Sequence, residues 1–204
     1  MSGTLIIFTR YPVPGQTKTR LIDQLGPDGA ASLHRGLAER TLNTAREAIE
    51  SRDIVLEIHH TGPAERMSTW LGSAPTYRAQ VGGDLGERML GAMTAVTFPV
   101  VLVGTDCPGL TPTILAAAFG ALEKKDAVLG PATDGGYYLI GMRSPQGEIF
   151  QNITWGSDQV LAQTRSRLQL MNWRWWETET LPDIDRPEDL VHVPHKLLPS
   201  SKRS

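Results

Sequence analysis

The sequence predicts an α/β protein, a three-layer sandwich of helices around a mostly parallel central sheet, on three observations. Short apolar runs alternate along the chain with segments of helical periodicity. Runs such as Leu5-Ile6-Ile7-Phe8 and Val100-Val101-Leu102-Val103 are apolar throughout, which is how buried strands read. The 204 residues, 40% of them hydrophobic and 21% charged, suffice for one domain with a substantial core.

The elements follow in order. Residues 5–8 predict a first strand. Residues 29–50 predict a long amphipathic helix, with Ala31, Leu33, Leu37, Ala38, Leu42, Ala45 and Ile49 near helical spacing. Residues 53–59 predict a strand, 63–71 a short helix and 77–80 a short strand. Residues 84–96 form a helix with Leu85, Met89, Ala92, Met93 and Val96 along one side. Residues 99–104 predict a third buried strand. Residues 111–123 predict a helix capped by Thr111 with Pro112 in its first turn. Strands at 126–130 and 137–142 and a helix at 158–168 complete the pattern. Residues 1–193 make a single domain. Residues 194–204 lack periodicity, are rich in Ser, Lys and Arg, and are expected to form a flexible tail.

Charge narrows the function classes. Twenty Lys and Arg against 22 Asp and Glu leave a net charge of −2, with no nucleic-acid or anionic-membrane footprint. Any attraction for phosphate is therefore local. The single cysteine, Cys107, excludes an internal disulfide framework and fits a reducing compartment. The apolar run at 4–8 is too short for a signal-peptide core, and no run approaches a membrane span. The expected location is cytoplasmic.

Five segments carry candidate chemistry. The first strand runs into Arg10-Tyr11-Pro12-Val13-Pro14-Gly15-Gln16-Thr17-Lys18-Thr19-Arg20, where backbone N–H groups and three cations can converge on phosphate. A merely solvated basic loop is the plain alternative. Asp106, in Gly104-Thr105-Asp106-Cys107-Pro108, directly follows a buried strand, where ligands of open α/β sheets bind. It suits Mg²⁺ or Mn²⁺, or simply shapes a turn. Asp183 and Asp185 point the same way on an extended segment, and Asp185 is a candidate second metal ligand or a helix cap. Asp134-Gly135-Gly136-Tyr137-Tyr138 combines a carboxylate, adaptable backbone and aromatic rings suited to a hydroxylated substrate, though it also reads as a hairpin turn. Gln80 to Met89 is a glycine-rich lead into a helix that matches neither the dinucleotide fingerprint nor the Walker A pattern. His34, His59, His60, His192 and His195 show no metal-ligand spacing, and Ser157 and Cys107 have no evident partners for nucleophilic catalysis. Trp155, on a loop beside Gly156-Ser157, is the tryptophan best placed to stack on an acceptor.

Taken together in this order and spacing, these five segments resemble the bacterial glycosyltransferase-A-like proteins of the nucleotide-diphospho-sugar transferase superfamily, some labelled arsenosugar-biosynthesis-type glycosyltransferases. The resemblance runs from Thr4 to Leu190. It implies the GT-A, Rossmann-like sandwich, shared with sugar-nucleotide pyrophosphorylases and phospholactate guanylyltransferase. It implies that the loop of Arg10, Pro14, Gly15, Lys18 and Arg20 wraps the phosphates, Lys18 and Arg20 being the principal contacts. Gln80, Gly83, Asp84, Gly86 and Arg88 then border the nucleobase, and Asp106 and Asp185 hold the metal. Arg186 stands where related chains often carry Thr.

The expected function is a Mg²⁺- or Mn²⁺-dependent glycosyltransferase acting on a nucleoside-diphosphate sugar and a small-molecule acceptor. Lys18 and Arg20 would neutralise the leaving diphosphate. Asp134 would serve as general base or acceptor contact, with Gly135, Gly136, Tyr137 and Trp155 around the acceptor. The alternative is a nucleotidyltransferase that couples a nucleoside triphosphate to a phosphorylated small molecule and releases pyrophosphate. The third reading is a non-catalytic nucleotide-binding module.

Overall fold

Every residue of strand β1 (Gly3–Arg10) is buried except the last, as its unbroken apolar run requires. The other strands are β2 (Ile54–Thr61), β3 (Thr76–Ala79), β4 (Val100–Val103), β5 (Ala127–Pro131), β6 (Tyr137–Met142) and β7 (Trp175–Glu177). In this computed structural model, which describes residues 2–50, 52–73 and 75–199, they form one seven-stranded sheet in the order β3-β2-β1-β4-β6-β5-β7. All pairings are parallel except those of β6, which runs antiparallel to both β4 and β5.

Alternation along the strands sorts the core into two faces. Leu5, Ile7, Val101 and Val103 pack on one side with α1 (Ile22–Ile49), α2 (Ala64–Leu71) and α4 (Pro112–Ala121). Ile6, Phe8, Val100 and Leu102 pack on the other with α3 (Leu85–Thr94) and α5 (Val160–Leu170). This is the expected three-layer sandwich. Thr111 caps α4 as predicted, its hydroxyl accepting from the Ile114 N–H at 3.2 Å, with Pro112 in the first turn. Among the described residues no helix is long and apolar enough to cross a membrane.

Three features depart from the sequence reading. Helix α1 begins at Ile22, but Gly26 (φ 69°) interrupts it and Pro27 restarts it, so the amphipathic pattern becomes visible only after the break. Strand β7 on the sheet edge is too short for its alternation to register, and it draws Trp175 and Trp176 alongside β5. The segment from Pro194, expected to be loose, packs back on α1 as far as Pro199. Leu197 lies 3.1 Å from where a Cβ on Gly36 would be, and Pro199 lies 3.5 Å from that of Gly29. Residues 200–204 of the expected tail lie outside the described residues.

The chain runs outward from β1 to β2 and β3, then returns to β4 on the other side of β1. That reversal opens a crevice at the carboxyl ends of β1 and β4, the place where such sheets bind ligands. The β5–β6 hairpin turn joins the same edge because β6 runs against β4.

Strand packing leaves no space at Gly141 in β6. A Cβ there would stand 2.6 Å from Val128 Cγ1 and 3.1 Å from the Val100 carbonyl. Gly141→Ala should destabilise the protein by about 1–3 kcal/mol, the usual cost of overpacking a rigid core. A lowered urea midpoint at unchanged m-value checks this.

Candidate active site

The loop after β1 is held by its own backbone. The Tyr11 N–H donates to the Thr61 carbonyl at 3.0 Å, the Gln16 N–H to the Val13 carbonyl at 3.1 Å, and the Val13 N–H to Thr17 Oγ1 at 3.1 Å. Pro14 and Gly15 shape this turn, with Gly15 at φ 77°, and neither lines the two cavities described below. Lys18 follows in the left-handed conformation (φ 52°, ψ 45°), which costs a side-chain-bearing residue about 1–2 kcal/mol. Its ammonium offsets this strain. The side chain is only 5% exposed, lies 2.6 Å from Asp106 Oδ1 and donates to the Ile184 carbonyl. The Asp106 contact lies off the hydrogen-bonding direction and acts as an ion pair. Arg20, 63% exposed, pairs with Asp185 through NH1. The two cations expected on phosphate thus each hold one of the acids expected on metal.

These groups line a polar cavity of about 320 Å³ together with Arg10, Thr17 and His34. His34, from α1, was missed by sequence reasoning because a lone histidine on a helical stripe is indistinguishable from core. It is 4% exposed. Its Nε2 lies 3.1 Å from the Arg10 carbonyl and 3.5 Å from Thr9 Oγ1, and its Nδ1 faces Asp106 Oδ1 at 4.0 Å. Burial holds the imidazole below its ordinary pKa despite the pull of Asp106. Burial raises the Asp106 carboxyl, but Lys18 and then His34 outweigh it and hold the group below the usual carboxylate range.

A larger cleft of about 760 Å³ adjoins this cavity and shares Arg20, Asp106 and Asp185 with it. Asp134, Gly136, Tyr137 and Trp155 line it. Gly135 does not. It packs against the backbone of Asp158, and its carbonyl accepts from the Leu161 N–H at 2.9 Å. Asp134 both makes the hairpin turn and faces the cleft: its Oδ1 accepts from the Gly136 N–H at 2.8 Å. Six aspartates line the cleft (Asp106, Asp134, Asp158, Asp183, Asp185 and Asp189) against Arg20 and Arg186. Asp189 also organises the segment, its Oδ2 accepting from the Asp185 N–H at 3.0 Å and the Arg186 N–H at 2.6 Å. Burial, and then Asp134, push Asp183 up to about 6.

The turn expected at the nucleobase is largely self-satisfied. Asp84 caps α3 through the Glu87 N–H at 2.8 Å, Glu87 accepts from the Gly83 N–H at 2.8 Å, and Arg88 donates to the Asp84 carbonyl at 3.2 Å. Gln80 spends its amide N–H groups on the Thr9 and His59 carbonyls, at 3.2 and 3.0 Å. Of this stretch only Leu85 lines the cleft. Gly86 serves packing instead: a Cβ there would stand 2.5 Å from the Trp155 indole, which sits against the start of α3.

The acids fit a divalent cation completed by ligand oxygens. No group of three or more metal-type side chains gathers among the described residues. Mg²⁺, however, commonly takes one or two carboxylates, water and phosphate oxygens. Lys18 engages one oxygen of Asp106, whose side chain is still 48% open to the cleft, and Arg20 engages one oxygen of Asp185.

The sequence profile of DUF2064, a family described as an uncharacterized protein conserved in bacteria, matches residues 41–157, more than half of the chain. The crystal structure of a candidate nucleotide-diphospho-sugar transferase from Desulfovibrio desulfuricans G20 is 34% identical, covers 100% of this chain and 90% of its own, and superposes with a TM-score of 0.85. CMP:2-keto-3-deoxy-manno-octonic acid synthetase in complex with CTP is 12% identical over 94% of this chain and 96% of its own, with a TM-score of 0.54. Rv0371c from Mycobacterium tuberculosis H37Rv in complex with manganese is 16% identical over 98% and 100%, with a TM-score of 0.56. The last two similarities are of fold. No curated protein matches the chain. The sandwich is therefore that of the nucleotide-diphospho-sugar transferases, as the sequence resemblance implies.

Asp183 carries a pH signature. Its folded pKa, about 6, lies above the ordinary carboxylate value, so its ionisation disfavours the folded state. That penalty is absent well below the ordinary carboxylate pKa, grows as pH rises from that value toward about 6, and is full above it. Asp183→Asn should therefore stabilise the metal-free protein at pH 7.5 by on the order of 1 kcal/mol, discounted for partial exposure, and leave it unchanged at about pH 3. Melting temperatures across that range, with a chelator present, test the sign.

Proposed function

The chain belongs to the DUF2064 family, and we propose that it is a nucleotide-using transferase that moves a sugar from a nucleoside-diphosphate sugar to a non-phosphorylated acceptor. One observation carries this reading: a basic cavity and an acidic cleft adjoin and share Arg20, Asp106 and Asp185. The basic cavity suits the diphosphate and the acidic cleft suits the acceptor. A phosphorylated acceptor would face six aspartates there. This disfavours nucleotidyl transfer to a phosphorylated molecule, although the CTP complex of the synthetase keeps that chemistry within the fold.

The residues divide the work. Lys18, committed to Asp106, fixes the floor. Arg10 and Arg20 are exposed and can reach phosphate oxygens. An exposed ion pair is worth little, so Arg20 can leave Asp185 for a diphosphate at small cost. Asp134 is held through one oxygen by Gly136, and its other oxygen is free to take the proton of an acceptor hydroxyl. A divalent cation held by Asp106 and Asp185 would supply neutralisation of charge on the departing diphosphate. The manganese complex of Rv0371c supports including such an ion.

Thermal-shift titration with nucleoside mono-, di- and triphosphates and sugar nucleotides, each with and without Mn²⁺, tests the proposal. Diphosphates and sugar nucleotides should raise the melting temperature in a Mn²⁺-dependent manner. Asp185→Asn should remove most of that dependence while changing ligand-free stability by no more than about 0.5 kcal/mol, because its pair is exposed. Asp106→Asn is a poorer probe, since it strands a buried ammonium. Released nucleoside diphosphate identifies sugar transfer and released pyrophosphate identifies nucleotidyl transfer. Binding without turnover, even of donor hydrolysis, would leave only a nucleotide-binding module.

A further inference from the structure

The reading of the loop cavity as a diphosphate site leaves His34 without a role, yet its side chain lines that cavity, is almost wholly enclosed and is oriented by a hydrogen bond. It comes from α1, outside all five sequence motifs, and is 4% exposed. Because a carbonyl only accepts, the 3.1 Å contact between Nε2 and the Arg10 carbonyl places the ring proton on Nε2. Nδ1 is then turned toward Asp106 and the cavity.

The position of that carbonyl gives the contact its consequence. Arg10 ends β1, and its side chain lines the cavity. The peptide that follows it is also fixed from the other side, since the Tyr11 N–H donates to Thr61 at 3.0 Å. His34 and Thr61 therefore hold the two ends of one peptide unit at the point where the strand becomes the phosphate loop. A carbonyl dipole left bare beside an anion cavity would repel an arriving phosphate and tempt the Arg10 guanidinium to fold back on it. The His34 N–H covers that dipole.

We propose that His34 is a positioning residue for anion binding, acting through the Arg10 carbonyl to hold the loop and the Arg10 side chain in their anion-receiving arrangement. The proposal rests on the cavity being the diphosphate site, and its test separates the two ideas.

Glutamine reaches about as far as the ring's Nε2 and offers an N–H there. Asparagine reaches only as far as Nδ1 and loses the tie. Inorganic pyrophosphate serves as the probe, titrated calorimetrically against the wild type, His34→Gln and His34→Asn in the full-length protein. Melting temperatures of the ligand-free variants are recorded alongside. His34→Gln should bind within about twofold of wild type, and His34→Asn should bind roughly tenfold more weakly, the loss expected for one hydrogen bond worth about 1 kcal/mol or slightly more. If His34→Asn destabilises the fold, titration well below its melting temperature keeps the comparison valid, because the glutamine variant carries the same loss of the ring. Equal affinity of the asparagine variant and wild type overturns the proposal, and so does an equal loss in both variants. Failure of the wild type itself to bind pyrophosphate overturns the diphosphate-site reading and the role of His34 with it.

Discussion

The ion pair between Lys18 and Asp106 joins three remote parts of the chain in one contact. The ammonium comes from the loop after β1, the carboxylate from the loop after β4, and Ile184, whose carbonyl receives the same ammonium, from the segment past β7. Burying a lysine to 5% exposure is expensive, and removing one partner of such a pair costs more than the pair contributes. The arrangement survives because two groups, the Asp106 carboxylate and the Ile184 carbonyl, satisfy the ammonium at once, and because apolar packing backs it: Leu21, just beyond the loop, buries with Ile184 and Val193 in a separate small core. The left-handed backbone at Lys18 follows from this, since it aims the stem inward. The orientation of Asp106 follows too, one oxygen committed below and the rest of the carboxyl open to the cleft. The pair is thus a buried reference against which the more exposed groups of the site are set.

Its exposed counterpart behaves differently. Arg20 and Asp185 meet in solvent, where desolvation is slight and the pair is easily exchanged. One buried and one exposed pair, both between loop cations and cleft acids, divide a rigid floor from an adaptable rim. The boundary between basic cavity and acidic cleft runs through these pairs, so a ligand that crosses it meets cations on one side and carboxylates on the other. Burial first, and then Asp134 among the neighbouring carboxylates, raise the pKa of Asp183 on the acidic side. Such electrostatic discomfort in the ligand-free state is typical of sites arranged for a partner that the protein itself does not supply.

Much of this was legible in the sequence because it depended on local pattern. Alternating apolar runs gave the sheet and both helical layers, and Thr111-Pro112 marked the start of α4 to the residue. The loops carrying Lys18 and Asp106 could be assigned to one edge because both follow buried strands. Partnership was not legible. Nothing in the spacing of Lys18, Arg20, Asp106 and Asp185 reveals that each cation would hold an acid, because the pairing depends on how β1, β4 and the 183–189 segment come together. His34 was hidden for the same reason: it reaches the site from a helix whose pattern reports only burial. Gly86 stands in a turn that the resemblance sets beside the nucleobase, and in the fold its missing side chain makes room for an indole. Sequence exposes a glycine but not what fills the space beside it.

That indole bears on how the cleft discriminates. Trp155 is pinned between Gly86 and the second core face, where it tilts against Phe150 at 6.4 Å between ring centroids. Three residues on, the backbone of Asp158 is seated against Gly135 of the hairpin turn that presents Asp134. The stretch between these two contacts therefore spans the cleft from the start of α3 to the β5–β6 turn, docked at each end on a glycine that cannot accept a side chain without displacement. A wall fixed at both ends resists adapting to ligands of different shape. It holds Trp155 and Asp134 at a set separation before any ligand arrives, which is the condition under which fixed carboxylates contribute most to a developing charge. On the proposed function, selectivity for the acceptor would reside in the preset width of the cleft, and the adaptable element would be Arg20, whose ion pair lies in solvent.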